Sequence, residues 1–256
     1  MPEQRTIIRL DRCESTMDAA RVLAEEGAED GTVVVADEQT SGRGTKGRLW
    51  ISPPRVGLYM TYILKPGEEE ALDLALLPLA SGLAGQEALL ALGVAEARLK
   101  WPNDLVAGRR KLGGILCESV FRNARPSFAL IGVGLNLNQT EKDFPPELRP
   151  EATSVRIRTG REIDRDAALF ALCETLGRWL RVLREGGPME LLAAYEDRLA
   201  FRRGYRITLR TAEGRAELFY QGLTANGELR LTPAMEAGKG PERRVRAEEV
   251  ESLDWE

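Results

Sequence analysis

The order of hydrophobic and polar positions predicts a chain that mixes strands and helices. Runs rich in β-branched and aromatic residues predict strands at 5–12, 32–39, 57–66 and 127–139. The segment 97–121 is expected to form a strand, a loop, a tight turn at Gly108 and a second strand. Long apolar or amphipathic runs predict helices at 15–26, 71–92, 164–187 and 189–200. Ser15 and Asp18 match a helix-capping box.

The pattern changes after about Arg203. Short alternating strands follow, with turns at Glu213-Gly214 and Asn226-Gly227 and a last strand near 243–253. This tail predicts a small β-barrel. The sequence therefore predicts two domains, at 1–202 and 203–256.

The balance of residue types is that of an ordinary soluble enzyme or binding protein. The 256 residues are 43% hydrophobic and 30% charged, with a net charge of −4. General nucleic-acid binders are usually basic, so no nucleic-acid partner is expected. The apolar run at 74–92 contains Pro78, Gln86 and Glu87, which predicts a buried helix and no membrane span. The charged N-terminus lacks a signal-peptide core, so a cytoplasmic location is expected.

The absence of histidine narrows the chemistry. It excludes Ser-His-Asp and Cys-His catalysis and histidine general bases. Cys13, Cys117 and Cys173 are widely spaced and form no C-x-x-C pair, so neither a disulfide framework nor a thiolate zinc site is indicated. Any reaction has to use Lys, Arg, Asp, Glu, backbone amides or a metal ion.

The stretch "QTSGRGTKGRLW" (39–50) contains a G-x-G-x-x-G pattern at Gly42, Gly44 and Gly47. A dinucleotide site would need a helix directly after this loop, but prolines and a β-rich run follow. The kinase and Walker A signatures are incomplete as well. Two interpretations remain, a solvated basic turn and an anion loop in which backbone N–H groups and Arg43 converge on a phosphate.

Two further clusters carry candidate chemistry. In "KWPNDL", Asn103 and Asp104 either bind Mg²⁺ or a substrate or form a plain turn. In "RKLGGIL", Lys111 either points into a pocket or ends a strand in solvent. In "GVGLNLN", Gly132 and Gly134 either relieve packing or let a ligand or backbone approach closely.

Taken together, these segments resemble the biotin–protein ligases, the biotin–[acetyl-CoA-carboxylase] ligase family. The matching segments, in the family's order and spacing, are "EST" (14–16), "QTSGRGTKGRLW" (39–50), "KWPNDL" (100–105), "KLGGIL" (111–116) and "GVGLN" (132–136). "ATSV" (152–155) and the β-rich tail fit as well, so the resemblance covers nearly the whole chain.

The resemblance implies a fold and a reaction. The fold would be α+β, like class II aminoacyl-tRNA synthetases: a mixed, mostly antiparallel sheet flanked by helices, with a C-terminal SH3-like β-barrel. Biotin and MgATP would give biotinyl-5′-AMP and pyrophosphate. A lysine of a biotin carboxyl carrier domain, belonging to a biotin-dependent carboxylase, would then take the biotinyl group. A homodimer is left open.

The resemblance also implies roles for individual residues. Arg43 and Lys111 would contact the biotin carboxylate and the phosphate, and Asp104 would help to receive a proton from the incoming lysine. The residues implied to bind biotin are Ser15, Thr16, Gln39, Gly42, Arg43, Lys111, Gly114, Ile115, Gly132 and Gly134. The residues implied to bind ATP or the adenylate are Arg43, Lys46, Arg48, Trp50, Asn103, Lys111 and Asn136, with Asn103 and Asp104 as candidate Mg²⁺ ligands.

This sequence departs from the family's pattern at three points. Met17 stands where many relatives have Asn, and Thr45 stands where an arginine is frequent, which would loosen the hold on the adenylate unless Lys46 and Arg48 compensate. No winged helix-turn-helix precedes residue 1, so a ligase without repressor function is expected. The alternatives are a lipoate or octanoyl transferase of the same superfamily, and a non-enzymatic regulator or biotin-binding module.

Overall fold

A computed structural model describes residues 5–67, 72–123, 125–233 and 241–256. The described chain forms two β-sheets with helices packed on the larger one. Seven strands make the larger sheet, in the order β1-β2-β3-β7-β6-β5-β4. They are β1 (Ile7–Cys13), β2 (Val33–Gln39), β3 (Gly57–Leu64), β4 (Ala97–Lys100), β5 (Asp104–Ala107), β6 (Arg110–Arg122) and β7 (Arg125–Asn136).

Every pairing in this sheet is antiparallel except the one between β1 and β2. The described helices are α1 (Thr16–Glu25), α2 (Leu77–Ala91), α3 (Val155–Thr159), α4 (Arg165–Arg184) and α5 (Pro188–Arg198). The prediction of a mostly antiparallel sheet flanked by helices is therefore confirmed.

The two faces of the sheet bury different hydrophobic groups. On one face, α1 packs Met17, Ala20 and Ala24 against Phe128 and neighbouring strand residues. The other face carries the main core, to which α2 and α4 contribute. Among the described residues, one helical segment, Leu74–Ala91, has the length and apolar character of a membrane span, and it is mostly buried in this core. Its apolar residues are explained by packing on all sides.

The smaller sheet contains five antiparallel strands and is called the C-terminal sheet below. In sequence order its strands are β8 (Arg206–Thr211), β9 (Gly214–Leu223), β10 (Leu229–Pro233), β11 (Arg243–Val245) and β12 (Val250–Trp255). The spatial order is β11-β10-β9-β8-β12, and no ladder joins the edge strands β11 and β12 within the described residues. The predicted closure into an SH3-like barrel is therefore wrong, because strand alternation predicts strands but not whether their outer edges pair.

The two sheets share one hydrophobic core. Phe201 packs edge-on against Tyr220, with ring centroids 5.0 Å apart, and also contacts the Trp255 ring. The indole N–H of Trp101 donates to the carbonyl of Gly227 at 2.9 Å. The division into domains at 202/203 stays a prediction, and these contacts show that the sheets are joined by buried groups on both sides of it.

Several local predictions are refined by the structure. Helix α1 begins after Ser15, whose hydroxyl accepts from the amide of Met17 at 3.2 Å. Asp18 does not complete the expected capping box, because its carboxylate pairs with Arg43. The helix expected at 71–92 consists of a 3₁₀ turn at Leu74–Leu76 followed by α2, and residue 71 lies outside the described residues. The short helix α3 was not predicted.

Candidate active site

A cleft of about 1240 Å³ opens over β6 and β7, between the glycine loop (40–50) and the C-terminal sheet. All but one of the residues implied to bind or react line this cleft: Ser15, Thr16, Gln39, Arg43, Lys46, Arg48, Trp50, Asn103, Asp104, Lys111, Gly114, Ile115, Gly132, Gly134 and Asn136. The exception is Gly42, which is buried beneath the loop. Its carbonyl accepts from the amide of Trp50 at 2.8 Å, and a Cβ there would collide with the carbonyl of Trp50.

Neutral side chains form a hydrogen-bonded chain at one end of the cleft. The Gln39 amide oxygen accepts from the backbone N–H of Thr16 at 2.9 Å and from its hydroxyl at 3.1 Å. The Gln39 amide nitrogen donates to the Ser52 hydroxyl at 2.8 Å. Thr61, in the middle of buried β3, donates to the Thr16 hydroxyl at 2.9 Å. Mutual hydrogen bonds hold these groups, of which Gln39 is half-buried and the others are buried. We call Thr16, Gln39, Ser52 and Thr61 the neutral network.

Glycines on β6 and β7 make a flat floor for the cleft. Gly114 and Gly134 lie opposite each other in the sheet, and the Trp50 indole covers both. A Cβ at Gly134 would lie 2.5 Å from the Trp50 ring, and one at Gly132 would lie 2.8 Å from the Met17 sulfur. The close approach expected at these glycines is thus made by the protein's own side chains. The Trp50 indole nitrogen is buried without a hydrogen-bond partner in the described residues.

Lys111 stands on this floor beside a carboxylate. Its ammonium lies 2.5 Å from the Asp104 carboxylate and 5.5 Å from the centre of the Trp50 ring. A Cβ at Gly114 would lie 3.3 Å from the Lys111 side chain, so the glycine leaves the room that the lysine needs. The backbone of Lys111 is fixed by bonds to Glu151 and Thr153. Lys111 therefore points into the cleft and is not a strand-end lysine in solvent.

Asn103 and Asn136 are held by the backbone around Lys111. Asn103 donates through its side-chain amide to the carbonyl of Ile115 at 2.9 Å, and its own carbonyl accepts from the Ile115 amide. Asn136 donates to the carbonyl of Thr153 at 3.0 Å. The side-chain nitrogens of both asparagines are thus engaged, and the Asn136 amide oxygen also accepts from the Gln139 side chain at 3.3 Å.

The two candidate magnesium ligands form a small donor set. Asn103 and Asp104 supply one amide oxygen and one carboxylate, and that carboxylate already pairs with Lys111. No group of three His, Cys, Asp or Glu side chains within the described residues is placed to hold a metal. This set fits Mg²⁺ only as an ion that keeps phosphate oxygens and water as its other ligands.

Arg43 is held by carboxylates on two different elements. It pairs with Asp18 on α1 at 2.7 Å and with Glu118 on β6. Glu118 also pairs with Arg21 at 2.8 Å. The four charges alternate in sign, and we call Asp18, Arg43, Glu118 and Arg21 the ionic row. Arg43 lines the cleft, so an anionic ligand there would compete with these carboxylates for its guanidinium.

The other two cations of the glycine loop are bonded away from the cleft floor. The Lys46 ammonium donates to backbone carbonyls of Glu248 and Val250 in the C-terminal sheet. Arg48 donates to the carbonyl and the hydroxyl of Thr45 at 3.3 and 3.2 Å. The roles implied for Lys46 and Arg48 at the adenylate stay predictions, and in this structure their charged ends are engaged elsewhere.

Burial shifts the pKa values of Cys117 and Lys100, which both line the cleft. It raises the pKa of the Cys117 thiol to about 12, so this cysteine stays protonated and is no nucleophile at neutral pH. Burial also lowers the pKa of Lys100, whose ammonium lies 5.5 Å from the Trp255 ring centre. With no histidine and no thiolate at the cleft, its charged groups are Lys, Arg, Asp and Glu side chains, among them Arg43, Lys111 and Asp104.

Sequence reasoning missed four residues that organise the site. Ser52 and Thr61 belong to the neutral network, and Asp18 and Glu118 hold Arg43. Thr61 had a visible signal, because it is a polar residue inside the apolar run "GLYMTYIL". Glu118 follows the apolar "GGILC" in the same way.

Comparison with known proteins agrees with this geometry. Residues 10–136 match the model of the biotin/lipoate A/B protein ligase family. A biotin–[acetyl-CoA-carboxylase] ligase from Paracoccus denitrificans is 33% identical over 228 residues, covering 87% of this chain and 92% of the relative. The bifunctional ligase/repressor BirA of Bacillus spizizenii is 40% identical over 161 residues, which are 62% of this chain and 49% of that relative. The chain thus spans about half the length of the bifunctional relatives.

Solved structures extend the likeness over the whole chain. The biotin protein ligase from Aquifex aeolicus in complex with biotin and ATP superposes with a TM-score of 0.80 at 30% identity, covering 98% of this chain and 99% of that one. A biotin protein ligase from Leishmania major in complex with biotinyl-5-AMP gives a TM-score of 0.64 at 25% identity, covering 96% and 100%. With the glycine floor, the neutral network and the two cations in one cleft, the chain belongs to the biotin/lipoate A/B protein ligase family.

Proposed function

We propose that this protein is a biotin–protein ligase. The observation that carries the proposal is a single cleft lined by uncharged hydrogen-bonding groups, by the cations Arg43 and Lys111 and by a glycine floor under Trp50. Biotin offers groups of both kinds, a neutral ureido ring system and a carboxylate. The relatives named as biotin ligases, and the neighbour solved with biotin and ATP, support the same substrates.

The first step joins biotin to ATP. The biotin carboxylate is ionised at neutral pH, so its oxygen attacks the α-phosphorus without a general base, and pyrophosphate leaves. Arg43 and Lys111 hold the carboxylate and the phosphate in line and stabilise the negative charge of the transition state. Gln39, Thr16 and Ser15 hold the ureido group, while Trp50 and Asn136 lie beside the adenine. This division of labour explains how a protein without histidine carries out the reaction.

Magnesium would arrive with ATP. When bound, it neutralises phosphate charge and leaves the attacking carboxylate to the protein's cations. Asn103 and Asp104 are the residues that would contact it. Asp104 already pairs with Lys111 near the start of β5 and β6, so such an ion would share this carboxylate with the lysine.

The second step transfers biotin to a lysine. The ε-amine of a biotin carboxyl carrier domain attacks the mixed-anhydride carbonyl, an amide bond forms, and AMP leaves. Asp104 receives the proton that the amine releases. We place the reaction in the cytoplasm, with the carrier domain of a biotin-dependent carboxylase as the partner, and the question of a homodimer stays open to sedimentation analysis.

The decisive experiment follows both products. Purified protein with MgATP should release pyrophosphate only when biotin is added, and labelled biotin should appear on a carrier domain. Lipoate in place of biotin is the matched control, because a lipoate-specific relative would give the opposite preference in turnover and in thermal shift. Absence of biotin-dependent pyrophosphate, with no shift in melting temperature on adding biotin, would reject the proposal.

A further inference from the structure

The glycine loop reaches across the cleft to the C-terminal sheet, to which the Lys46 side chain is hydrogen-bonded. The Lys46 ammonium donates to the carbonyl of Glu248 at 3.1 Å and to the carbonyl of Val250. These carbonyls lie two residues apart, at the 3₁₀ turn Ala247–Glu249 and the start of β12. An ammonium has three N–H donors, so two of them are used in one socket made only of backbone oxygens.

The socket lies beside an irregularity of β12. The pairing of β12 with β8 shifts register between Val250 and Ser252, and such a bulge leaves backbone groups outside the ladder. Val250 itself is 7% exposed, so the carbonyls are anchored by a buried residue. A fixed backbone turn receives the lysine.

The backbone of Lys46 indicates that this position is held from outside the loop. Its φ of 58° lies in the left-handed region, which an L residue other than Gly, Asn or Asp seldom adopts. Such strain persists when surrounding contacts determine it. Among the described residues, the hydrogen bonds that Lys46 makes outside its own loop go to the two carbonyls of the socket.

Arg43 and Lys46 therefore hold the same loop from opposite sides. Arg43 ties it to α1 and β6 of the larger sheet, while Lys46 ties it to the C-terminal sheet. We propose that Lys46 is a positioning residue that couples the glycine loop to the C-terminal sheet, so that the order of 40–50 and of 247–251 changes together. Lys46 acts through the loop and does not touch the reacting atoms. The kinetic part of this inference rests on the proposed function.

Coupling of this kind is reciprocal. If the socket stabilises the loop, a ligand that orders the loop also stabilises the socket. Biotin with MgATP should then slow amide exchange at 247–251. A purely structural lysine on the surface would show no such response to ligand.

Hydrogen–deuterium exchange on the full chain tests the coupling without relying on activity. Lys46→Met keeps the length of the side chain and removes its charge, Lys46→Arg keeps the charge, and Lys142→Met is a matched control at an exposed lysine away from the socket. In the ligand-free protein, Lys46→Met should speed exchange at 247–251 and at 40–50 by about 3- to 10-fold, the equivalent of one modest charged hydrogen bond. Lys46→Arg should restore most of the protection, and Lys142→Met should match the parent. Unchanged exchange at 247–251 in Lys46→Met would overturn the proposal.

Steady-state kinetics test the positioning role. Lys46→Met should raise the KM for biotin about 3- to 10-fold with kcat within about twofold, because the loop is less often in place but the reacting groups are intact. Lys46→Arg should recover the KM. Raised exchange with an unchanged KM would reject the positioning role. A parent protein without biotin-dependent turnover would reject the proposed function, and the exchange comparison would still decide whether the tether exists.

Discussion

Two sets of groups in the site are held by different means; we call the neutral network its neutral end and the cations Arg43 and Lys111 its cationic end. In the neutral network, uncharged donors and acceptors are paired from Thr61 through Thr16 and Gln39 to Ser52. Arg43 and Lys111 are instead paired with carboxylates of the protein itself. The first set is mostly buried and already hydrogen-bonded, whereas the cations are partly exposed and already paired.

Because the neutral groups are already hydrogen-bonded and the cations are already paired with carboxylates, the two ends contribute differently to a ligand's free energy of binding. A neutral ligand group that joins a fixed network requires little rearrangement, so this end is suited to discrimination between substrates. An anion at the other end has to exchange with Asp18, Glu118 or Asp104, so part of its attraction is offset and the remainder depends on salt. The neutral end is therefore expected to set selectivity and the cationic end to set the rate.

The largest effect is expected from Lys111→Ala, which removes one cation of the rate-setting end. Loss of a group that stabilises transition-state charge costs about 3 kcal/mol, or ~100-fold in adenylation rate. Pyrophosphate release at saturating biotin and ATP measures it. Lys142→Ala, at an exposed position outside the cleft, should behave as the parent. If Lys111→Ala releases pyrophosphate at the parent's rate, Lys111 does not have the catalytic role assigned to it.

A smaller effect of a different kind is expected from Gln39→Leu. The change leaves the Thr16 and Ser52 groups without their partner, which costs about 1–3 kcal/mol. Biotin binding measured by calorimetry should weaken by about 10- to 100-fold, while the adenylation rate at saturating biotin changes little. A fall in rate with unchanged affinity would reverse the roles assigned to the two ends.

Thr61→Val tests whether the neutral network stabilises the fold independently of its role in biotin binding. Thr61 bonds to Thr16 but does not line the cleft. Its loss should lower the free energy of unfolding by about 1 kcal/mol and weaken biotin binding much less than Gln39→Leu does. Urea denaturation and calorimetry on the two variants give both quantities. An equal loss of affinity in both would mean that the network responds as one unit.

The contrast between the ends also explains which features could be predicted from sequence. Hydrophobic periodicity is a local signal, and it predicted the strands and the main helices. The resemblance to the ligase family, which rests on short motifs such as "KWPNDL", implied the residues that line the cleft. The partners of the loop cations were not predictable in this way. Glu118 lies 75 residues from Arg43 and Val250 lies 204 residues from Lys46, so only the folded chain brings them together.

The same limit explains the two fold features that were wrong or missing. Alternating residues predicted the strands of the tail, but closure depends on whether β11 and β12 pair, which no local pattern encodes. Helix α3 is only five residues long and depends on the Ser154 cap, so it has little periodicity of its own to detect.

Asp18→Asn should leave Arg43 more available to an anionic ligand, because it removes one of the carboxylates that pair with this guanidinium. Arg43 would keep Glu118 but lose one competing carboxylate, so ligands that bind this guanidinium should bind about 2- to 5-fold more tightly, the range of a partly exposed ion pair. Calorimetry with biotin at low and high salt measures it, and the gain should shrink as salt rises. The same change should not alter selectivity for biotin over lipoate. Weaker binding would instead show that Asp18 orients Arg43 for the ligand.

The smallest effect concerns Lys100, a half-buried cation that lines the same cleft. Because burial lowers its pKa in the folded state, the unfolded chain binds more protons between the folded pKa and the ordinary value of 10.5. The charged lysine therefore lowers the free energy of unfolding by its full amount below the folded pKa, and this loss of stability is relieved as the pH rises toward 10.5. Lys100→Met removes the titration, so its stability relative to the parent should be most favourable at neutral pH and should decline as the pH increases. Urea denaturation of both proteins between pH 7 and pH 10 measures the difference, in which shared titrations cancel. A difference in unfolding free energy that stays constant with pH would show that the Lys100 ammonium is as well solvated in the folded protein as in the unfolded chain. Folding would then carry no desolvation cost for this charge.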